Sequence, residues 1–492
     1  MIYKTAHTNV IKKIINKYNV VYNKYINNNK IDTKMQINNS KMNSKMDTKM
    51  QINNNKIINV YKDIKTFDLI KNIICLKSCD NKTIRNYATN IILMNNTIIT
   101  KIIKHTYYKH FCGGESIQDI KMYNLIKDYK YKHNIQSILD YSIEENKNNI
   151  KNICLDNIEY ANKINLIHNK KYNTDSNDKI INFTVIKCTS IFDKKLLENI
   201  TKIIMYCNLK KKNLNEYLPN FFVINNYNPP INNIYDFDDE INIPYPLTNY
   251  ECEILKNNLN DLYCICNESI NKNISLLIDA EQYNLQLTID YIYINACKRY
   301  NKFNNKALIY NTYQLYLKDS IDRLKYNYYF VKNKYNFGCK IVRGAYMNDE
   351  IIFFNNNKQY YPINDNIELT HKMYDEALYF SINEIYNNKN YYIVIATHND
   401  NSVKYSCEII NKYNMNTNTD NIHFSQLHGM YNYISLSLAK NGFNTSKYIP
   451  FGEIELTLPY LTRRLQENSS IFNNTSKDIN LMLKELATRV KN

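Results

Sequence analysis

Short β-branched and aromatic runs recur along the chain, each separated from the next by a longer stretch that reads as helix. They predict strands over 137–140, 183–187, 274–279, 307–310, 339–342, 391–396, 422–424 and 447–449. Strands alternating with helices indicate βαβ units and a parallel sheet, and about eight such units suggest an α/β fold closed into a (β/α)8 barrel. An open, doubly wound sheet is the alternative. No G-x-G-x-x-G follows any strand, which counts against a Rossmann dinucleotide site.

The flanking segments follow other patterns. Residues 66–130 read as polar additional N-terminal helices, 131–475 as the barrel, and 476–492 as a C-terminal helix or tail. A long insertion at about 205–270 contains Pro229, Pro230, Pro244 and Pro246, is the region expected to be least ordered, and carries no catalytic signal. Within it, Thr248-x-x-Glu251 has the form of a capping box that opens a helix. Residues 1–65 are low in complexity and predicted to be disordered. There Lys4, Lys12, Lys13, Lys17, Lys24 and Lys30 precede the first acidic residue, Asp32, as in a mitochondrial presequence. The eight residues from Asp32 to Asn39 recur from Asp47 to Asn54, a duplication too short for a solenoid.

Composition changes this picture little. The 492 residues include 46 Tyr but only 7 Gly, 8 Pro and no Trp. That bias spreads over the whole length and points to an AT-rich coding sequence. The net charge of +17 is therefore discounted: its lysines are scattered, and no stacking pattern suits a nucleic-acid groove. A basic surface could still favour an anionic membrane. Of the 12 cysteines, the close pairs Cys75/Cys79 and Cys264/Cys266 lack the partners of a zinc site, so buried, reduced thiols and no metal are expected. No run reaches the ~20 apolar residues of a spanning helix.

Chemistry concentrates at one end of the predicted strands. Asp140, Lys187, Asp279, Gln314, Arg343, Thr397, His398, Gln426 and Tyr448 all fall at or just beyond carboxyl ends, where (β/α)8 enzymes carry their sites. Near the C-terminus, Tyr460, Arg463, Arg464 and Glu467 have the i, i+3, i+4, i+7 spacing of one helix face. Two adjacent arginines on one face repel each other unless a planar anion sits between them.

Several blocks appear in a telling order: Leu277-Ile-Asp279-Ala280-Glu281-Gln282, Asn311-Thr-Tyr-Gln314, Lys340-Ile-Val-Arg343-Gly344-Ala345-Tyr346, Ala396-Thr397-His398-Asn399, Phe424-Ser-Gln426-Leu-His428-Gly429, Lys447-Tyr448 and Tyr460-Leu-Thr-Arg463-Arg464. Together with Tyr108-Lys-His-Phe-Cys-Gly-Gly-Glu115 upstream, the chain resembles the mitochondrial, flavin-dependent proline dehydrogenase family from about residue 108 to 470. The resemblance implies a distorted TIM-like barrel that oxidises L-proline to pyrroline-5-carboxylate by hydride transfer to the N5 atom of noncovalent FAD. It also implies a quinone acceptor and peripheral association with the matrix side of the mitochondrial inner membrane.

By the same resemblance, Lys187, Arg463 and Arg464 hold the substrate carboxylate, while Tyr346, Tyr448 and Tyr460 pack on or line the substrate site. Asp279 and Lys340 match active-site positions. Arg343, Gly344 and Ala345 would approach the pyrophosphate, with Ala280, Gln314, Thr397, His398, Asn399, Gln426 and Glu467 also at or near the flavin. Bacterial relatives tend to carry arginine where this chain has Lys340, and lysine presents a point charge rather than a fork. The alternatives are a hydroxyproline dehydrogenase, against which the aromatic at Tyr448 stands, and a barrel that has lost catalysis and serves in binding.

Overall fold

Strands form where the predicted runs fall; most are extended at one or both ends, the run at 391–396 keeps its predicted bounds and the run at 274–279 yields a shorter strand. In the computed structural model they are β1 (Gln136–Tyr141), β2 (Ile181–Ile186), β3 (Ser275–Ile278), β4 (Ile309–Gln314), β5 (Phe337–Val342), β6 (Tyr391–Ala396), β7 (Ile422–Leu427) and β8 (Thr445–Phe451). All pair in parallel in sequence order, and β8 closes on β1 through Ile138 opposite Tyr448 and Asp140 opposite Pro450. The closed barrel excludes the open sheet. The structure describes residues 61–491, apart from 63, 81–99, 102, 143–148, 175–177, 231, 233, 236, 238–242, 303–305 and 358–360, and describes only the backbone at 79–80, 355–357, 456, 459, 463–475 and 491. The expected presequence and the duplicated tract lie outside the described residues.

The helices are α1 (Thr66–Asp80), α2 (Ile120–His133), α3 (Ile150–Tyr172), α4 (Lys194–Lys210), α5 (Asn249–Asn271), α6 (Tyr283–Tyr300), α7 (Ser320–Val331), α8 (Met347–Asn357), α9 (Ile367–Asn387), α10 (Asp400–Lys412), α11 (Asn432–Lys440) and α12 (Ile454–Lys491), with a single turn at Cys188–Ile191. Helix α5 opens on the Thr248/Glu251 capping box, with both reciprocal bonds made. With glycine scarce, asparagine takes the left-handed positions: Asn134 and Asn173 end α2 and α3 at φ 53° and 50°. The expected insertion at 205–270 divides into the end of α4, the whole body of α5 and a connection over 211–248, because the capping box starts a regular helix that returns to the barrel. The expected C-terminal tail is likewise the continuation of α12.

Chain contacts divide the molecule into two units, 74–478 and 1–73 with 479–492, which differ from the sequence-based boundaries at 65, 130 and 475. In the smaller unit, Arg489 donates to the carbonyl oxygens of Tyr61, Lys62 and Ile64 and to the hydroxyl of Thr66, satisfying a chain entry that has no sheet partner. In the larger unit lies the barrel, whose interior is filled by Ile138, Phe183, Val185, Leu277, Tyr310 and Val394. Each large apolar side chain buried there contributes about 1.5–3 kcal/mol.

Side chains alternate along a strand, so the residue two places past an inward apolar one also points inward. Ile138 thereby fixes Asp140, Val185 fixes Lys187, Leu277 fixes Asp279, and Tyr310 fixes Thr312 and Gln314. On β5 the inward residue before Lys340 is Gly338, where a Cβ would come within 2.9 Å of the Tyr310 ring. The Cys112-Gly113-Gly114 segment closes over the end of β8: Gly113 N–H donates to Pro450, and Gly452 N–H to Gly114.

Candidate active site

Two groups of side chains emerge at the carboxyl ends of the strands. The first spans β1, β2, β3, β5 and β8. Asp279, just past β3, accepts an ion pair from Lys340 on one carboxylate oxygen and a 2.9 Å hydrogen bond from the Tyr448 hydroxyl on the other. Lys340 is buried, and its Nζ lies 5.2 Å from the centre of the Tyr448 ring. Beside this triad the buried Asp140 pairs with Lys187 at 3.2 Å and accepts from Ser142 Oγ at 2.8 Å.

The groups form one electrostatic cluster. Burial pushes the Tyr448 phenol well above its ordinary value, and Asp140, Asp279 and Tyr460 push the same way. Tyr448 therefore stays protonated and keeps donating to Asp279. Each lysine faces a carboxylate, as a cation taken out of water requires. Tyr460 on α12 is buried, as is Tyr346, which lies beside Tyr316. Arg463, Arg464 and Glu467 belong to the helical backbone of α12, but their side chains lie outside the described residues.

The second group spans β4 to β7 and is built from backbone and neutral hydrogen bonds. Arg343 donates to His371 Nδ1, Thr397 Oγ1 and Ser402 Oγ, each at 2.9 Å, and its guanidinium lies 4.4 Å over the Tyr374 ring. No carboxylate of the described residues touches it. Burial holds its pKa below the usual arginine value, a pull that Tyr374 and Asp375 oppose. Gly344 sits at φ +145°, with Tyr316 so close that a Cβ would meet its ring at 1.7 Å.

Gln314 fixes the same loop from below, accepting from Ala345 N–H at 3.0 Å and donating to the Glu281 carbonyl. Ala280 is half-buried next to Asp279. Thr397 Oγ1 also accepts the Asn399 N–H, and Asn399 caps α10 through Ser402 N–H. His398 accepts the Leu427 N–H at 2.9 Å and stacks on Tyr431 at 4.5 Å. Gln426 bridges Thr397 O and Ser435 Oγ.

Sequence reasoning had left several of the supporting residues without a role. Asp140 was visible as an end-of-strand carboxylate, but its pairing with Lys187 needed the β1–β2 neighbourhood. Glu281 accepts both the N–H and the hydroxyl of Thr189, tying the turn after Lys187 to the β3 loop. His371, Ser402, Tyr316 and Glu350 come from helices or loop positions with no local signal.

The family model for proline dehydrogenase matches residues 125–477. The chain is 30% identical over 403 residues to mitochondrial proline dehydrogenase 2 of Arabidopsis thaliana, covering 81% of this chain and 82% of that one. It is 30% identical over 457 residues to mitochondrial proline dehydrogenase 1 of Dictyostelium discoideum, covering 88% and 74%. Among solved structures it is similar to proline utilization A from Bdellovibrio bacteriovorus, with a TM-score of 0.59 at 16% identity; the match covers 84% of this chain and 41% of that longer one, and it shows the barrel fold.

Proposed function

The chain belongs to the proline dehydrogenase family, and from that premise we propose that it oxidises L-proline to pyrroline-5-carboxylate at the carboxyl ends of β1, β2, β3, β5 and β8. The observation that carries this reading is the convergence of Asp279, Lys340, Tyr448 and the Lys187–Asp140 pair on one end of the barrel.

FAD, the cofactor implied by the resemblance, suits the second group of residues. Arg343 is a partly desolvated cation whose contacts are all neutral, so an anionic pyrophosphate would supply the missing counter-charge. Gly344 keeps the backbone bare at that point, and the N-terminus of α10 adds oriented N–H groups. Arg343, Gly344, Ala345, Thr397 and Asn399 would hold the group, with Ala280, Gln314, His398, Gln426 and Glu467 shaping or lining its site. When bound, FAD supplies the two-electron acceptor for the hydride lost from the ring carbon next to nitrogen.

The protein's own residues bind and orient. Lys187, with Arg463 and Arg464, offsets the desolvation of the substrate carboxylate. Asp279, locked by Lys340 and Tyr448, presents a fixed negative edge that orients the substrate amine, which must be neutral as hydride departs. Lys340 contributes a preorganised positive charge in a dry site. Tyr448 and Tyr460 pack on the ring, with Tyr346 lining the pocket, and the Tyr448 ring fills the space a 4-hydroxyl would need.

The electron acceptor we propose is a quinone, reached by peripheral association with the matrix side of the mitochondrial inner membrane. Among the described residues no helix is long and apolar enough to cross a membrane. Anaerobic titration of the purified protein with proline, hydroxyproline and lactate tests the reading: the flavin absorption should bleach with proline at far lower concentration than with the others. A colourless protein, or a flavin that proline leaves oxidised, defeats it.

A further inference from the structure

At the opposite, amino-terminal mouth of the barrel lies a cavity of about 360 Å³. Its walls come from strand beginnings and the loops before them, including Gln136, Ser275, His423, Lys179, Lys306 and Asp420. Amino-terminal faces of (β/α)8 barrels ordinarily serve stability, and the charges here exceed that need. Lys130, also in the wall, is answered by Asp178 at 2.5 Å. That leaves Lys179 and Lys306 against Asp420 alone.

A structural role covers only part of the pair. The buried Lys179 donates to the Asn273 carbonyl just beyond the end of α5, a usual place for a cation. Lys306, half-buried, has no carboxylate in ion-pair contact among the described residues and stands within hydrogen-bonding reach of Lys179; burial and this like charge lower the Lys179 pKa to about 7, against the pull of Asp420. His423 also lines the cavity, but its Nδ1 is closed off from it and has no hydrogen-bond partner among the described residues. Both lysines and Asp420 act on its ring, which burial keeps neutral by lowering its pKa to about 4. Two lysines this close share less than their full positive charge until a counter-ion enters, and the cavity they line has room for one.

We propose that this cavity binds a small oxyanion, phosphate or the carboxylate of a small acid, against Lys179 and Lys306. The site is independent of the substrate pocket at the other end of the barrel. The test is equilibrium dialysis of the full-length, flavin-loaded protein against radiolabelled inorganic phosphate at low ionic strength, with malonate as competitor. Saturable uptake of one phosphate per chain is expected. Malonate displacing it at lower concentration than phosphate identifies a carboxylate as the natural class, and the reverse order a phosphate.

Lys306→Ala should weaken uptake at least tenfold while proline oxidation stays within twofold of the unmodified protein, and Asp420→Asn should tighten uptake severalfold by removing the wall's negative charge. Phosphorus-31 line broadening by the unmodified protein, reversed by malonate, gives a readout that depends on no variant. Absence of saturable uptake and of line broadening, or uptake unchanged in Lys306→Ala, overturns the proposal.

Discussion

Gly344→Ala isolates the contribution of backbone shape to cofactor binding. At φ +145° an alanine is strained by about 1–3 kcal/mol. Its Cβ would also stand 1.7 Å from Tyr316 Cδ1, so the tyrosine must move. Tyr316 is not free to do so, because its buried hydroxyl donates to Glu350 at 2.6 Å, a bond whose loss leaves a buried polar group unmet and costs about 1.5–3 kcal/mol. Together these set a penalty of roughly 2.5–6 kcal/mol, which the loop avoids only by leaving the conformation that presents Arg343 and Ala345. At about 1.4 kcal/mol per tenfold, FAD affinity should fall at least about fiftyfold. The assay is FAD titration of the deflavinated protein, with circular dichroism to confirm folding. Gly344→Ala/Tyr316→Leu removes the clash but not the strain and should recover more than tenfold. A folded single variant that binds FAD within threefold of the original, or a double variant no better than the single, refutes the reasoning.

Three further outcomes follow from the same geometry. Tyr448→Ser should narrow the preference for proline over hydroxyproline, measured as the ratio of the two kcat/KM values; an unchanged ratio would count against a steric role for the ring. Lys187→Met strands a buried Asp140 and should cost about 3–5 kcal/mol of stability as well as raising the proline KM a hundredfold. Adding Asp140→Asn should restore the melting temperature but not the KM, and recovery of both would make the pair purely structural. Burial raises the Glu350 pKa from 4.5 to about 7, so its protonated form favours the fold: that contribution is whole below about pH 4.5 and is lost as pH rises through 7. Glu350→Gln should therefore abolish a loss on the order of 3 kcal/mol between about pH 5 and pH 8, read from urea unfolding at each pH.

The site was legible in the sequence to different depths. Asp279, Lys187 and Gln314 could be assigned to one end of a barrel because period-two alternation carries them inward from Leu277, Val185 and Tyr310. The strand reading was short on β4 and β7, where Asn311, Thr312 and Gln426 look polar in isolation, though all three are buried in a closed sheet and Gln426 bonds Ser435. Gly344 could be read as a place of close backbone approach, but the ring it must clear, Tyr316, lies 28 positions upstream. The sequence carries no sign that the His398 Nε2 accepts the Leu427 N–H or that its ring stacks on Tyr431.

Local regularities, then, were written in the chain itself: strand and helix alternation, the Thr248 capping box, and the side of the barrel on which polar residues would gather. These depend on neighbours within a few residues, where hydrogen-bonding geometry and side-chain direction are set by backbone period. The partners were not so written. That Asp140 answers Lys187 followed once β1 lay beside β2, and that Lys340 and Tyr448 share Asp279 and that Lys179, Lys306 and His423 meet at the far mouth followed only once β8 had closed on β1, because a charge or hydrogen bond acts over a few ångströms of space and the barrel brings together residues as far apart in the chain as Asp279 and Tyr448.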